Sequence, residues 1–264
     1  MNTQHSLLLQ TIKAALEAGK TILEVYYSKN IAVEIKDDNS PLTLADKKSH
    51  AAICRTLQNT DIPILSEEGK DIDFAIRKNW QKLWIVDPLD GTKEFLKRNG
   101  EFTVNIALVE YQQPVLGVIY SPVSSIIYFA QKNLGSYKLS RATEYNSIEE
   151  YLAHAEKLPY TKTNTYTIVA SRSHMNKETE EFIAKKKAGN PSIELVSMGS
   201  SLKICLVAEG RADCYPRFAP TMEWDTAAGQ AIAEAAGKKF VDISTQQSML
   251  YNKASLLNNW FVVE

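Results

Sequence analysis

The hexapeptide Asp87-Pro88-Leu89-Asp90-Gly91-Thr92 is the stretch of the chain best equipped for chemistry. It follows directly on the apolar run Leu83-Trp84-Ile85-Val86, which reads as a buried strand. Two carboxylates three residues apart at a strand end can converge on one cation. Pro88 fixes its own φ and pushes Asp87 toward an extended conformation, a stiffness that can present the Leu89 carbonyl as a further oxygen ligand. Gly91 permits a tight turn, after which the amides of Gly91 and Thr92 can face an anion. A hard cation beside a phosphate is the arrangement phosphoryl chemistry needs. An Asp-Pro turn in front of a capped helix would share the same local sequence, so the hexapeptide needs support from elsewhere in the chain.

Three further acidic positions could supply it, each with a plain alternative. Ser66-Glu67-Glu68-Gly69 repeats the form of a short strand followed by paired acids, a form that also suits a solvated turn. Trp224-Asp225-Thr226 opens an Ala-rich helix over 227–236, where Asp225 could serve only as the N-cap. Asp46 lies three residues after Thr43, a spacing that a reciprocal helix cap explains. Singly these acids are ambiguous; their joint occurrence with the hexapeptide is not.

The rest of the composition narrows the classes. With 30 Lys+Arg against 31 Asp+Glu in 264 residues, the net charge is −1, which argues against a surface built to neutralise a nucleic-acid polymer. No apolar run approaches the ~20 residues of a membrane span, and the start of the chain lacks a signal-peptide pattern. Any contact with the inner face of a membrane would therefore be peripheral, and monomer and dimer are both compatible with the sequence. Cys54, Cys205 and Cys214 form no C-x-x-C pair and fit small buried hydrophobes in a reducing cytoplasm. The histidines His5, His50, His154 and His174 make no H-E-x-x-H zinc site. Asp71-Ile72-Asp73 is a D-x-D in a charged stretch rather than after an apolar strand, and there is no Walker A loop, G-x-S-x-G or G-x-G-x-x-G.

The elements that must position these acids follow from periodicity. Helices are expected over 6–27 and from Thr43 to about Leu57, strands over 62–65 and 83–86, and a strand meander over 102–110, 115–120 and 126–130. The polar segment 137–165 shows no clear strand and is taken as a domain seam. Beyond it strands (165–170, 193–196, 212–215) alternate with helices (177–187, 201–208, 226–236). This is α+β organisation followed by α/β, divided into residues 1–155 and 156–264.

Taken together, Ser66-Glu67-Glu68, the 87–92 hexapeptide and Trp224-Asp225-Thr226-Ala227-Ala228-Gly229 resemble the motifs of the inositol monophosphatase superfamily of magnesium-dependent, lithium-sensitive phosphatases. Asp38-Asn39-Ser40-Pro41, Gly91-Thr92-Lys93-Glu94-Phe95, the run from Arg98 to Leu108, Ala170-Ser171-Arg172-Ser173-His174, Gly199-Ser200-Ser201-Leu202-Lys203 and Tyr215-Pro216-Arg217-Phe218 are similar to its bacterial CysQ branch of 3′(2′),5′-bisphosphate nucleotidases. The resemblance runs from the first helix to the C-terminus. It implies an α/β fold, a layered αβαβα sandwich, with most metal ligands in residues 1–155 and the nucleotide contacts and last ligand in 156–264.

For function the resemblance implies a phosphoric monoester hydrolase. It would remove the 3′-phosphate of adenosine 3′,5′-bisphosphate (PAP) to leave AMP, with PAPS to APS as a second reaction and a place in sulfur metabolism. Glu67, Asp87, the Leu89 carbonyl, Asp90 and Asp225 would hold two or three Mg²⁺ ions, and a metal-activated water would attack in line without a phosphoenzyme. The Asp46–Thr92 pair, supported by Glu67, would orient that water. Glu67, Leu89, Asp90, Gly91, Thr92 and Asp225 would meet the phosphate being cleaved, through the amides at Gly91 and Thr92. Ser171, His174, Gly199 and Lys203 would contact the nucleotide, with Arg217 as a further anion partner. Lys203 in an apolar helix could instead snorkel to solvent, and Arg217 could serve a surface ion pair. An inositol monophosphatase or sugar bisphosphatase with the same metal centre, and a catalytically silent nucleotide-binding module, are the competing expectations.

Overall fold

The computed structural model describes residues 3–28, 33–35, 41–162, 164–170, 175–189 and 192–264. The long helix α1 (Thr3–Tyr26) leads through a small hairpin, β1 (Val33–Ile35) and β2 (Pro41–Thr43), into helix α2 (Leu44–Leu57). Next come β3 (Ile64–Ser66), the short helix α3 (Phe74–Arg77), β4 (Lys82–Asp90), the short helix α4 (Thr92–Leu96), β5 (Thr103–Glu110), β6 (Gln113–Ser121), β7 (Ile126–Gln131), β8 (Gly135–Ser140), α5 (Ile148–His154) and β9 (Glu156–Lys157). Strands β3 to β9 form one seven-stranded sheet in sequential order, antiparallel except for the β3–β4 pair.

The last part of the chain supplies β10 (Thr167–Ala170), α6 (Lys177–Gly189), β11 (Glu194–Ser197), α7 (Leu202–Glu209), β12 (Tyr215–Arg217), α8 (Glu223–Ala235), β13 (Phe240–Asp242), β14 (Gln247–Ser248) and β15 (Phe261–Val263). Here β10 and β11 pair in parallel, and β12-β15-β13-β14 form a second sheet. A bridge between Ile168 and Cys214 joins the two pieces into one layer.

Alternating side chains of the large sheet explain the layering. Trp84, Val86, Val104, Ile106, Val118 and Phe129 pack with Ile12, Leu16, Ile22 and Ile53 of α1 and α2. The opposite faces of the same strands, including Leu83, Ile85, Ala107 and Ile119, pack with Ile204, Val207, Ala228 and Ile232 of α7 and α8. A third cluster seats Ile183 of α6 on Ile168 and Val262. The result is the α/β, five-layered αβαβα sandwich. Helix α8 lies hard against β6, where a Cβ at Gly117 would collide with the Ala228 carbonyl.

One expectation is corrected and one alternative is set aside. Segment 137–165, strandless by its sequence pattern, contains most of β8 and all of α5 and β9, and β9 extends the large sheet. The strand was hidden because its inward positions Ser136 and Lys138 are polar; Lys138 Nζ is buried 2.8 Å from the fully buried Glu209 carboxylate. Tyr128 and Tyr160 also donate to Glu209, at 2.5 and 2.7 Å. Asp225 is not the N-cap of its helix: α8 begins at Glu223, so Asp225 stands in the first turn and its Oδ2 accepts the Met222 amide at 2.8 Å.

Candidate active site

Strand β4 does not stop at Val86 but carries the chain to Asp90, with a register shift against β5 between Asp87 and Asp90. The shift turns both acids toward the same end of the sheet. Asp87 Oδ1 accepts the Leu89 amide at 3.0 Å, and Ser49 of α2 donates to the Pro88 carbonyl at 2.6 Å, pinning the turn. Gly91, at φ +93°, bends the strand into α4, a left-handed conformation that a side chain would strain. Asp225 arrives from the first turn of α8. Asp87, Asp90 and Asp225 each place an oxygen within 4.8 Å of the others, a group able to hold a metal ion.

The electrostatics of this trio call for a cation. Asp87 is 1% exposed, and burial first, then the negative charges of Glu67, Asp90 and Asp225, push its carboxyl well above the usual carboxylate range. Burial, with the Asp90 and Glu67 charges, lifts Asp225 to about 8 against the pull of the Met222 amide. Carboxylates crowded in low dielectric share protons unless a positive ion takes their place. Glu67 lines the same cleft, and its amide donates to the Val86 carbonyl at 3.1 Å, but it stands outside the three-acid group.

Asp46 does two jobs. Its Oδ2 accepts the Thr43 amide at 2.8 Å and the Thr43 hydroxyl at 2.5 Å, the reciprocal cap of α2, while its Oδ1 lies 3.4 Å from Thr92 Oγ1. The Thr92 hydroxyl is also 3.5 Å from the Leu89 carbonyl, so it sits between a carboxylate and a candidate ligand oxygen. Burial raises the Asp46 carboxyl, offset in part by its hydrogen bonds to Thr43.

The comparisons with known proteins fit this geometry. The family model of the inositol monophosphatases matches residues 4–262. The chain belongs to the inositol monophosphatase family. Within that family it is 42% identical to the 3′(2′),5′-bisphosphate nucleotidase CysQ of Escherichia coli strain K12 over 260 residues, 97% of this chain and 99% of the relative. It is 35% identical to the protein of the same name from Haemophilus influenzae, covering 100% of this chain and 94% of that one. The crystal structure of CysQ from Bacteroides thetaiotaomicron, described as a bacterial member of the family, superposes with a TM-score of 0.92 at 53% identity over 98% of this chain and 97% of that one.

The three acids line a cleft of about 390 Å³, walled by the head of α4, the loop between β11 and α7, and the start of α8. Lys203 and Arg217 both line it. Lys203 does not snorkel: it is 6% exposed, its Nζ donates to the Ser200 and Met198 carbonyls at 2.6 and 3.4 Å, and burial lowers its pKa to about 8. Arg217 is buried rather than held at the surface. Its Nη2 donates to the Pro220 carbonyl at 3.0 Å, and its Nε finds no hydrogen-bond partner among the described residues. Gly199 supplies space more than a contact. Its amide is taken by Glu101 Oε2 at 2.8 Å, and a Cβ there would stand 2.8 Å from the Glu101 carbonyl. Ser171, His174 and the Asp38-Asn39-Ser40 part of the first loop motif lie outside the described residues.

Residue-level reading of the sequence gave no role to Thr103, Asn105, Ser201 or Glu101, all at the cleft or directly behind it. Each falls inside a family-like segment, 98–108 or 199–203, but a Gly-Ser-Ser run and a polar residue in a strand carry no chemistry until the fold brings them together.

Proposed function

We propose that this protein is a Mg²⁺-dependent 3′(2′),5′-bisphosphate nucleotidase that hydrolyses the 3′-phosphate of adenosine 3′,5′-bisphosphate, giving AMP and phosphate. The observation that carries the reading is the pairing of a three-acid cluster with two buried cationic side chains, Lys203 and Arg217, across one cleft. A monophosphate needs only the first half; a bisphosphate uses both.

The donor set fits Mg²⁺, which prefers carboxylate oxygens and substrate phosphate oxygens. Asp87, Asp90 and Asp225, with Glu67 and the Leu89 carbonyl beside them, would hold it as two or three ions. Bound there, Mg²⁺ would supply charge neutralisation at the phosphate and a lowered pKa for a coordinated water. The chain's own groups do the rest. Thr92 accepts a proton from a water in the cleft and relays its own toward Asp46 Oδ1, a path 3.4 Å long that a bound substrate would tighten. The cleaved phosphate lies against the turn at Gly91 and Thr92, which lines the cleft beside Asp90.

Lys203 and Arg217, both lining the cleft, would attract the second phosphate, so that binding energy far from the reacting bond orients the 3′-phosphate. Ser171 and His174 belong with them as nucleotide contacts, on the resemblance of their segment. Functionally the chain divides near residue 155: the part before it brings Glu67, Asp87, Leu89 and Asp90, and the part after it brings Asp225, Lys203 and Arg217. No helix among the described residues is long and apolar enough to cross a membrane. The three unpaired cysteines suit the reducing cytoplasm, where we place the enzyme.

The experiment is a comparison of kcat/KM on adenosine 3′,5′-bisphosphate, inositol 1-phosphate and fructose 1,6-bisphosphate with Mg²⁺. The nucleotide is expected to lead by at least ~100-fold, the scale of one or two charge-assisted contacts. Equal or better turnover of the inositol or sugar phosphate would overturn the assignment.

A further inference from the structure

One oxygen of Asp90 is committed before any ion arrives. Its Oδ2 accepts the Ser201 amide at 2.6 Å, the Ser201 hydroxyl at 2.7 Å and, more weakly, the Asn105 amide at 3.4 Å. The same Ser201 Oγ lies 2.8 Å from the main-chain carbonyl of Asp225 and accepts from Asn105 Nδ2 at 2.9 Å. Thr103 donates to Asn105 Oδ1 at 2.9 Å, which sets that amide's orientation. All three side chains are buried, Ser201 at 4% exposure, Asn105 at 1% and Thr103 at 0%. With its amide on the acid of β4 and its one hydroxyl proton shared between that acid and the Asp225 carbonyl, a serine at the head of α7 links β4 to α8, and β5 braces it from behind.

The consequence concerns how Asp90 can bind a cation. Mg²⁺ requires a near-ideal octahedron of oxygens at ~2.0–2.1 Å, which favours single-oxygen carboxylate ligands. Ca²⁺ takes six to eight oxygens and readily accepts both oxygens of one carboxylate. A carboxylate whose Oδ2 is held by an N–H and an O–H offers only Oδ1. We propose that Ser201, braced by Asn105, is a positioning residue that locks Asp90 as a one-oxygen ligand and so gives the site its preference for Mg²⁺ over Ca²⁺. The inference rests on the metal-dependent reading above and adds to it the residue that selects the ion.

Ser201→Ala removes the hydroxyl that bonds Asp90 and deprives Asn105 of its nearer acceptor, while leaving the backbone amide in place. Groups that orient metal ligands from behind typically change affinity by ~10–100-fold. Calorimetric binding of Mg²⁺ and, separately, Ca²⁺ to EDTA-stripped protein is the measurement, with circular dichroism to confirm folding. The Mg²⁺ Kd of Ser201→Ala is expected to rise about 10-fold while the Ca²⁺ Kd holds or falls, so that the ratio drops at least 10-fold. Asn105→Ala is expected to shift the ratio in the same direction by a smaller factor, and it carries the test if Ser201→Ala does not fold. Equal weakening of both ions, or no change in either, would overturn the positioning role. Failure of the unaltered protein to bind Mg²⁺ would instead overturn the reading on which it rests.

Discussion

Replacing Asp225 by Asn should make the metal-free protein more stable while destroying its function. Asp225 shares a site with Asp87 and Asp90, all three oxygens lying within 4.8 Å of one another. At an effective dielectric of ~20, two full charges at that distance repel by about 3.5 kcal/mol. The site relieves part of this by holding protons, which is why the Asp225 carboxyl is lifted to about 8 by burial and by Asp90. A carboxyl raised in the folded state lets the protein keep a proton that the unfolded chain gives up. That contribution is complete below the unfolded value of about 4 and is lost as pH rises through 8. Asn keeps an oxygen to accept the Met222 amide, now made at 2.8 Å, so the helix start survives the change. Relief of one repelling pair, about 3 kcal/mol, corresponds to roughly 6 to 12 °C in Tm for a chain of this size. Thermal unfolding in EDTA at pH 8.5 and at pH 5 reads it directly, with the larger gain at pH 8.5. Saturating Mg²⁺ should then stabilise the unaltered protein, by ~2.7 kcal/mol at 100 times Kd, and Asp225→Asn far less. An Asp225→Asn protein that melts at or below the original in EDTA at pH 8.5, yet responds fully to Mg²⁺, would refute this reasoning.

Three further outcomes follow from the same geometry. Thr92→Val should lower kcat about 100-fold with Mg²⁺ binding little changed, because the hydroxyl 3.4 Å from Asp46 handles a proton; steady-state kinetics beside calorimetry separates the two effects. Lys203→Met should raise KM for adenosine 3′,5′-bisphosphate ~10- to 100-fold and leave any residual turnover of a monophosphate nearly unaffected, since only the second phosphate needs the buried ammonium. Glu209→Ala should cost ~3–5 kcal/mol in urea denaturation, because it strands the Lys138 ammonium and the Tyr128 hydroxyl in the interior, whereas Glu17→Ala at the exposed pair with Lys20 should cost under ~1 kcal/mol.

The acids were legible because their geometry is local. Asp87 and Asp90 sit on one strand end with Pro88 and Gly91 dictating the turn, so neighbouring residues carry nearly all the information. Asp46 was legible as a cap from its spacing to Thr43, and one of its oxygens makes that cap while the other faces Thr92 at 3.4 Å. What depends on distant partners was not legible. Lys138 looks like a surface residue until Glu209 is packed beneath the sheet, and β8 disappeared with it. Ser201 and Asn105 are ordinary polar residues until α7 docks on β5 and places them behind Asp90. Periodicity leaves Lys203 between nucleotide contact and snorkelling, because it does not say which side of an apolar helix faces a cleft. Depth in the fold decides it.

The most direct test of the central claim is ³¹P NMR of adenosine 3′,5′-bisphosphate incubated with the protein, with and without Mg²⁺. Loss of the 3′-phosphate resonance, with inorganic phosphate and 5′-AMP appearing together only when Mg²⁺ is present, is the result expected. Release of the 5′-phosphate to leave adenosine 3′-phosphate, or an unchanged spectrum with folded protein and Mg²⁺, would contradict it.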